Sequence, residues 1–297
     1  MKIDLHLHSK NSDGVDTIAE LIPKVAEAGI EVFALTDHDR ADGWAKAREL
    51  ATELNLSFIP GMEITTEGRF TEKPFGIHLL AYLPNPELPE LRQILEVNQS
   101  ARHVRIQKFI KNLQTDYPEL TYEYVLSLVL PGATLGRPSL ATALSKMGVA
   151  PTPGEVFNMG ILGKSGPYYV RNEAPDVLEV IRTVRQAGGV PVIAHPLARK
   201  KKDTTEEFVF PREDFIKMVE AGLLGLETNH SEVPPHVKTV LDDFANEFGL
   251  ITTGSSDYHG LTVKANNPIG LRLTEPAQLK RILELGTGAE PLINHEL

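Results

Sequence analysis

His6 and His8 sit at i and i+2 in the apolar run "DLHLHS". If that run is a strand, residues two apart leave from one face, so the imidazoles project together while Leu5 and Leu7 pack the other way. One strand histidine is an ordinary hydrogen-bonded core residue; two on one face are hard to bury without a cation. The same residue types then recur. Asp13 follows five residues after His8, His38 closes "ALTDHD", Glu63 lies in "GMEIT", His78 in "GIHLLAY" and His195 in "VIAHP", and Asp257 and His259 repeat the i, i+2 spacing in "GSSDYHG". Imidazole and carboxylate groups that converge on one point are metal-ligand chemistry. The chain has no cysteine, which excludes thiolate ligands, a thiol nucleophile and disulfides. Clustered divalent cations suit phosphate-ester hydrolysis, because they activate water and neutralise charge that builds on the phosphoryl oxygens.

These residues need a scaffold that gathers strand ends. The runs "IDLHLHS", "EVFALTDHD", "SFIPGMEITTE", "FGIHLLAYL", "VPVIAHP", "LGLETNH" and "LITTGSSDYHG" read as strands, and most alternate with helical patterns such as "TIAELIPKVAEAG" and "DVLEVIRTVRQAGG". Such alternation predicts a parallel α/β barrel, whose strand C-terminal ends share one mouth. The alternation breaks between about Pro84 and Pro167. There Ile106, Phe109, Ile110 and Leu113 keep helical spacing, and "LPGATLGRPS" and "GVAPTPGE" punctuate it. The expected organisation is a barrel from residues 1–83 and 167–297 with a mostly helical insertion at 84–166. The net charge of -10 disfavours coating long nucleic acid or an anionic membrane. No apolar run is long enough to span a bilayer, and a cytoplasmic location is the default expectation.

With these residues in place, the chain resembles the PHP (polymerase and histidinol phosphatase) family of metal-dependent phosphoesterases. Four motif regions carry the resemblance: "DLHLHSKNSDG", "ALTDHD", "VIAHP" and "GSSDYHG". The insertion is similar to that of the subgroup acting on nucleotide phosphates and short 5′-phosphorylated ends. The resemblance implies a distorted (β/α)7 barrel holding two or three divalent metals, manganese first, with iron, magnesium or zinc as alternatives. It assigns His6, His8, Glu63 and Asp257 to one metal, Asp13, His38 and His259 to a second, and a bridging Glu63 with His78 and His195 to a third. Glu63, Asp257 and His195 are the expected catalytic residues. Asp37 and Asp39 flank His38 without being assigned as ligands; Asp39 either orients an imidazole or caps the next loop.

Substrate grip is expected from cations outside the metal shell. Arg137, in "LGRPS", resembles the arginine of a related "GRPH" pattern, although Ser139 stands where that pattern has histidine. Arg102 and Arg105, at i and i+3 with Asn98 on the same helical face, can form a phosphate fork. Asn229 and His230 close the sixth strand, within reach of a substrate at the mouth. The basic loop "ARKKKD" reads as solvated. His103, His236 and His295 lie outside the pattern and are expected at the surface. The leading expectation is a phosphatase of small nucleotides, either a 3′,5′-nucleoside bisphosphate or a 5′-monophosphate such as AMP. Alternatives are a 5′-to-3′ exonuclease on short RNA or DNA ends, a histidinol phosphate phosphatase, an amidohydrolase or deaminase, and a non-catalytic metal-binding module.

Overall fold

The fold was analysed in a computed structural model, which describes residues 1–70, 74–130, 134–163, 165–196 and 212–295. In chain order the elements are β1 (Ile3–Leu7), α1 (Ile18–Glu27), β2 (Val32–Leu35), α2 (Trp44–Glu53), β3 (Ser57–Gly68), β4 (Phe75–Tyr82), α3 (Pro89–Leu113), α4 (Tyr122–Ser127), α5 (Arg137–Lys146) and α6 (Pro153–Asn158). They continue with α7 (Val177–Gln186), β5 (Val190–Ile193), α8 (Arg212–Glu220), β6 (Gly225–Asn229), α9 (Pro235–Phe248), β7 (Ile251–Gly254) and α10 (Pro276–Leu285). The seven strands form one sheet in the order β1 to β7, curled into a nearly closed barrel. One hydrophobic cluster draws Ile3, Val32, Ile59, Leu80, Val192 and Ile251 from six strands and so fills the interior, with Leu279 and Ile282 of α10 closing one end. Helices cover the outside: α1 and α2 pack on Phe33 and Leu35 of β2, while α7, α8 and α9 pack on Ile64, Ile193 and Leu226.

One strand departs from the parallel pattern. β4 runs antiparallel to both of its neighbours, with Gly61 opposite Tyr82 and Gly68 opposite Phe75 on β3, and Tyr82 opposite Val190 on β5. β3 and β4 therefore form a hairpin that stands up past the mouth, and β4 ends at the base of the barrel. The insertion consequently leaves from the base, not from the mouth. The chain returns through α3, whose 25 residues span about 37 Å. Leu91, Ile94 and Leu95 of its first half pack in the barrel-side core. Its second half contributes Ile106, Phe109, Ile110 and Leu113 to a separate cluster with Leu140, Leu144, Val156 and Leu162. A single amphipathic helix thus lifts the chain back to the mouth.

The seam between β1 and β7 closes without a ladder. A single bridge joins Leu7 to Tyr258, and the His8 amide donates to the Tyr258 carbonyl at 2.9 Å. Asp4 supplies the rest. Its buried carboxylate accepts from the amides of Ser256 at 3.1 Å and Gly270 at 2.9 Å, a side chain standing where strand bonds would be. Burial pushes the Asp4 carboxyl up to about 6, against the opposing pull of those hydrogen bonds. Among the described residues no helix is long and apolar enough to cross a membrane.

Candidate metal centre

At the mouth, Glu63 lies among five imidazoles. Its Oε1 is 2.7 Å from His78 Nδ1 and 3.0 Å from His195 Nε2. Its Oε2 is 3.1 Å from His8 Nε2, 3.2 Å from His38 Nδ1 and 3.4 Å from His6 Nε2. The two oxygens of one carboxylate thus face two different groups of nitrogens. On the far side of His8, Asp13 Oδ1 lies 3.2 Å from His259 Nε2, and its Oδ2 lies 3.7 Å from His38 Nε2. Asp257 Oδ1 lies 3.3 Å from His259 Nδ1 and 3.5 Å from both His6 Nε2 and His8 Nε2. His6 and His8 do project together, their Nε2 atoms 3.0 Å apart.

Local backbone explains how separate elements meet here. The loop after β1 folds back so tightly that a Cβ on Gly14 would lie 2.4 Å from the His8 carbonyl oxygen; this turn brings Asp13 under His259. Asp257 and His259 lie beyond the end of β7, so their spacing does not come from a strand face. Instead Asp257 has φ 50°, and His195, just past β5, has φ 58°. Left-handed backbone at non-glycine residues costs about 1–3 kcal/mol each and persists only where surrounding contacts enforce it.

The electrostatics are those of a cation site. Burial pushes the Glu63 carboxyl up, but His38, His78 and His6, with a hydrogen bond from His195, outweigh it and hold Glu63 well below the carboxylate range. Burial likewise raises Asp13, and His259 and His38 bring it well below. For Asp257, Lys264 and then His259 overcome the burial effect. Burial drives His38 in the other direction, well below the usual imidazole value. The carboxylates are thus ionised and His38 neutral, as metal ligation requires, while the facing carboxylates raise His6, His195 and His259 against the effect of burial. Among the described residues Asp13 Oδ1, His38 Nδ1 and Asp257 Oδ1 are buried without a hydrogen-bond partner. These orphaned donor atoms, all imidazole nitrogen or carboxylate oxygen, fit divalent cations.

Among the described residues four donor sets have their ligand atoms within 4.8 Å of one another: His8, Asp13, His38 and His259; His6, His8 and Asp257; His6, Glu63 and His195; and His38, Glu63 and His78. Several buried clusters of this kind suit a multinuclear site. The grouping differs from the assignment implied by the family resemblance, because His78 and His195 share Glu63 Oε1 yet fall in separate sets, with His38 and His6 respectively.

The structure gives other surroundings to most of the residues expected to hold substrate. Arg102 is 8% exposed and donates from Nε to Asp39 at 2.9 Å and from Nη2 to Thr65 at 2.5 Å, so its guanidinium is turned to the barrel. His230 contacts Asp257 Oδ2 at 3.3 Å and accepts the Glu232 amide. Asn229 donates to the Leu273 carbonyl. Arg105 donates to the Val170 carbonyl and lies over the rings of Phe109 and Tyr169. Burial, with repulsion from Arg137 and Arg102, pulls it down to about 10; the three cations therefore feel one another. Arg137 opens α5 and donates to the Leu162 carbonyl at 3.3 Å. Ser139 accepts the Gly136 amide and completes a helix cap. Just upstream, Thr134 donates to the carbonyl of His38 at 3.1 Å, tying this end of the insertion to the mouth. Asp39 bonds Thr65, Asn98 and Arg102. His103 and His236 are exposed and His295 is partly buried. The "ARKKKD" loop lies outside the described residues.

Two residues at the centre, one buried and one half-buried, escaped sequence reasoning. Glu227 is fully buried in β6, 3.0 Å from His6 Nδ1; its only signal was an acid inside an apolar strand. Lys264 pairs with Asp257 Oδ2 from a loop with no pattern to mark it.

Comparison with known proteins follows the same lines. The model of the PHP domain family matches residues 4–126. The 5′-3′ exoribonuclease of Haemophilus influenzae is 30% identical over 87% of this chain and 90% of its own length. The 3′,5′-nucleoside bisphosphate phosphatase of Chromobacterium violaceum is 28% identical over 86% of this chain and 87% of its own. A crystal structure of a Bifidobacterium adolescentis protein regarded as a metal-dependent phosphoesterase superposes with a TM-score of 0.86 at 32% identity, covering 96% of each chain.

Proposed function

The chain belongs to the PHP family of metal-dependent phosphoesterases, and from that premise we propose that it hydrolyses the phosphate monoester of a small nucleotide, either a 3′,5′-nucleoside bisphosphate or a 5′-monophosphate such as AMP. The observation that carries the reading is Glu63, whose two oxygens face two groups of imidazoles. In this reading Glu63 bridges, His6, His8 and Asp257 complete one site, Asp13, His38 and His259 a second, and His78 and His195 serve a third; manganese is the first choice of metal. Bound divalent cations supply an activated water and neutralise phosphoryl oxygens. The chain's own residues do the rest. Glu63, Asp257 and His195 fix the reacting phosphate's surroundings through the ligand shell, and Arg137 with Arg105 offers a second anion a positive wall. Residues 84–166 act as a lid that keeps bulk water from the mouth.

A second reading is supported by the exoribonuclease relative: 5′-to-3′ trimming of short 5′-phosphorylated oligonucleotides. One experiment separates the two. The protein and Arg137→Ala are assayed with Mn²⁺ on nucleoside bisphosphates, AMP, p-nitrophenyl phosphate and 5′-phosphorylated oligonucleotides. The expected result is phosphate release from the bisphosphate, with kcat/KM lowered in Arg137→Ala by roughly ten- to over a hundredfold, the loss of one charge-assisted contact, and p-nitrophenyl phosphate affected less. Release of mononucleotides from the oligomer with no phosphate from the bisphosphate overturns the first reading in favour of the second.

A further inference from the structure

Glu227 has a place but no assigned role. It is fully buried in β6 and belongs to none of the four donor sets. Its Oε1 lies 3.0 Å from His6 Nδ1 and also accepts the Ser255 hydroxyl. Its Oε2 is buried with no hydrogen-bond partner among the described residues. A carboxylate this deep and half-satisfied is unfavourable unless a positive charge is close. The His6 ring is the imidazole in direct contact with it, with His230 and His195 acting from further off.

We infer that Glu227 is the positioning residue of the metal centre, holding His6 in the tautomer and orientation that aim Nε2 at the cations. The geometry leaves little freedom. A carboxylate accepts and cannot donate, so His6 Nδ1 must carry the hydrogen. When His6 is a ligand, that leaves Nε2 as the lone-pair nitrogen, facing His8 Nε2 at 3.0 Å, Glu63 Oε2 at 3.4 Å and Asp257 Oδ1 at 3.5 Å. Two lone pairs meeting at 3.0 Å repel unless a proton or a cation stands between them. Glu227 commits one of the two rings to that arrangement, as an outer carboxylate does for a metal-ligating histidine. Ser255, from the loop after β7, donates to the same oxygen, so Glu227 ties β1, β6 and the end of β7 together at the depth of the site.

The inference rests on His6 being a ligand, and the test keeps the two apart. Chelator-stripped wild type, Glu227→Gln and Glu227→Leu are titrated with Mn²⁺, and the histidine ring nitrogens are read by long-range ¹H–¹⁵N correlation. Glutamine keeps a carbonyl acceptor of the same size; leucine removes it. The expected result is Mn²⁺ affinity about 10- to 100-fold weaker in Glu227→Leu with an intermediate value in Glu227→Gln, and loss of the Nδ1–H signature of His6 in the leucine variant. Thermal melting of the stripped proteins reports whether each variant folds; if the leucine variant does not, the glutamine variant carries the test alone, by weaker Mn²⁺ binding than wild type. Wild-type affinity and an unchanged His6 signal in the folded variants overturn the role of Glu227. Failure of wild type itself to bind Mn²⁺ overturns the metal-centre reading instead.

Discussion

Glu63 is the residue on which the donor sets hinge, since two of the four contain it. Converting its carboxylate to an amide leaves the shape and removes a charge that faces imidazoles on both sides. Glu63→Gln should therefore lower bound metal below the wild-type equivalent and cut kcat roughly 10²- to 10³-fold, the scale of one lost preorganised electrostatic contact; elemental analysis and steady-state kinetics on the folded variant measure both. Unchanged turnover removes Glu63 from the site. The control is the exposed Glu53 on α2. Glu67, which reads as a surface residue in "EITTEG", is 5% exposed and paired with Arg69 and Arg171. At this scale the sequence was informative where residue types recurred at strand ends, as for His6, His8, His38 and His195. It was silent on Glu227 and Lys264, because one buried acid or one loop lysine has no partner in the sequence until the chain folds.

Strand direction could not be read from hydrophobic pattern, since alternation looks the same whichever way a strand runs. The antiparallel β4 follows from the long hairpin with β3, and it moves the start of the insertion to the base of the barrel. α3 then has a task no pattern announced. It carries Asn98, Gln99 and Arg102 to Asp39, which also accepts from the amide and hydroxyl of Thr65. Asp39 follows His38, Thr65 lies two residues past Glu63, and the Asp39 amide bonds the Glu63 carbonyl at 3.0 Å. The inserted helix therefore braces the two strand ends that carry His38 and Glu63. Arg102→Met should leave Asp39 buried without its cation and destabilise the protein by about 3–5 kcal/mol, measured by denaturant unfolding. Adding Asp39→Asn should restore part of the loss, because the uncompensated charge is then gone. An Arg102→Met protein as stable as wild type would show that the Asp39 pairing contributes no stability.

The barrel as a whole has one weak line, and the candidate ligands straddle it. β1 and β7 share a single bridge and the Asp4 side chain, where neighbouring pairs share ladders. His6 and His8 stand on one side of that seam, and Asp257 and His259 on the other. Cations held by all four would act as the missing rungs, so their binding should stabilise the closed barrel by mass action and most of all at the seam. Chelation should then speed hydrogen exchange at the His8 amide, bonded to the Tyr258 carbonyl, and at the Val15 amide, bonded to the His259 carbonyl. The β3–β4 hairpin, with eight paired positions from Gly61↔Tyr82 to Gly68↔Phe75, should hold its protection. Local opening of this kind draws on contact density, so a ladder resists where an isolated bridge does not. Exchange measured by mass spectrometry with and without chelator reads both regions at once. Equal loss at hairpin and seam would mean that the cations stabilise the molecule uniformly, and no change at either would mean that the seam closes without them.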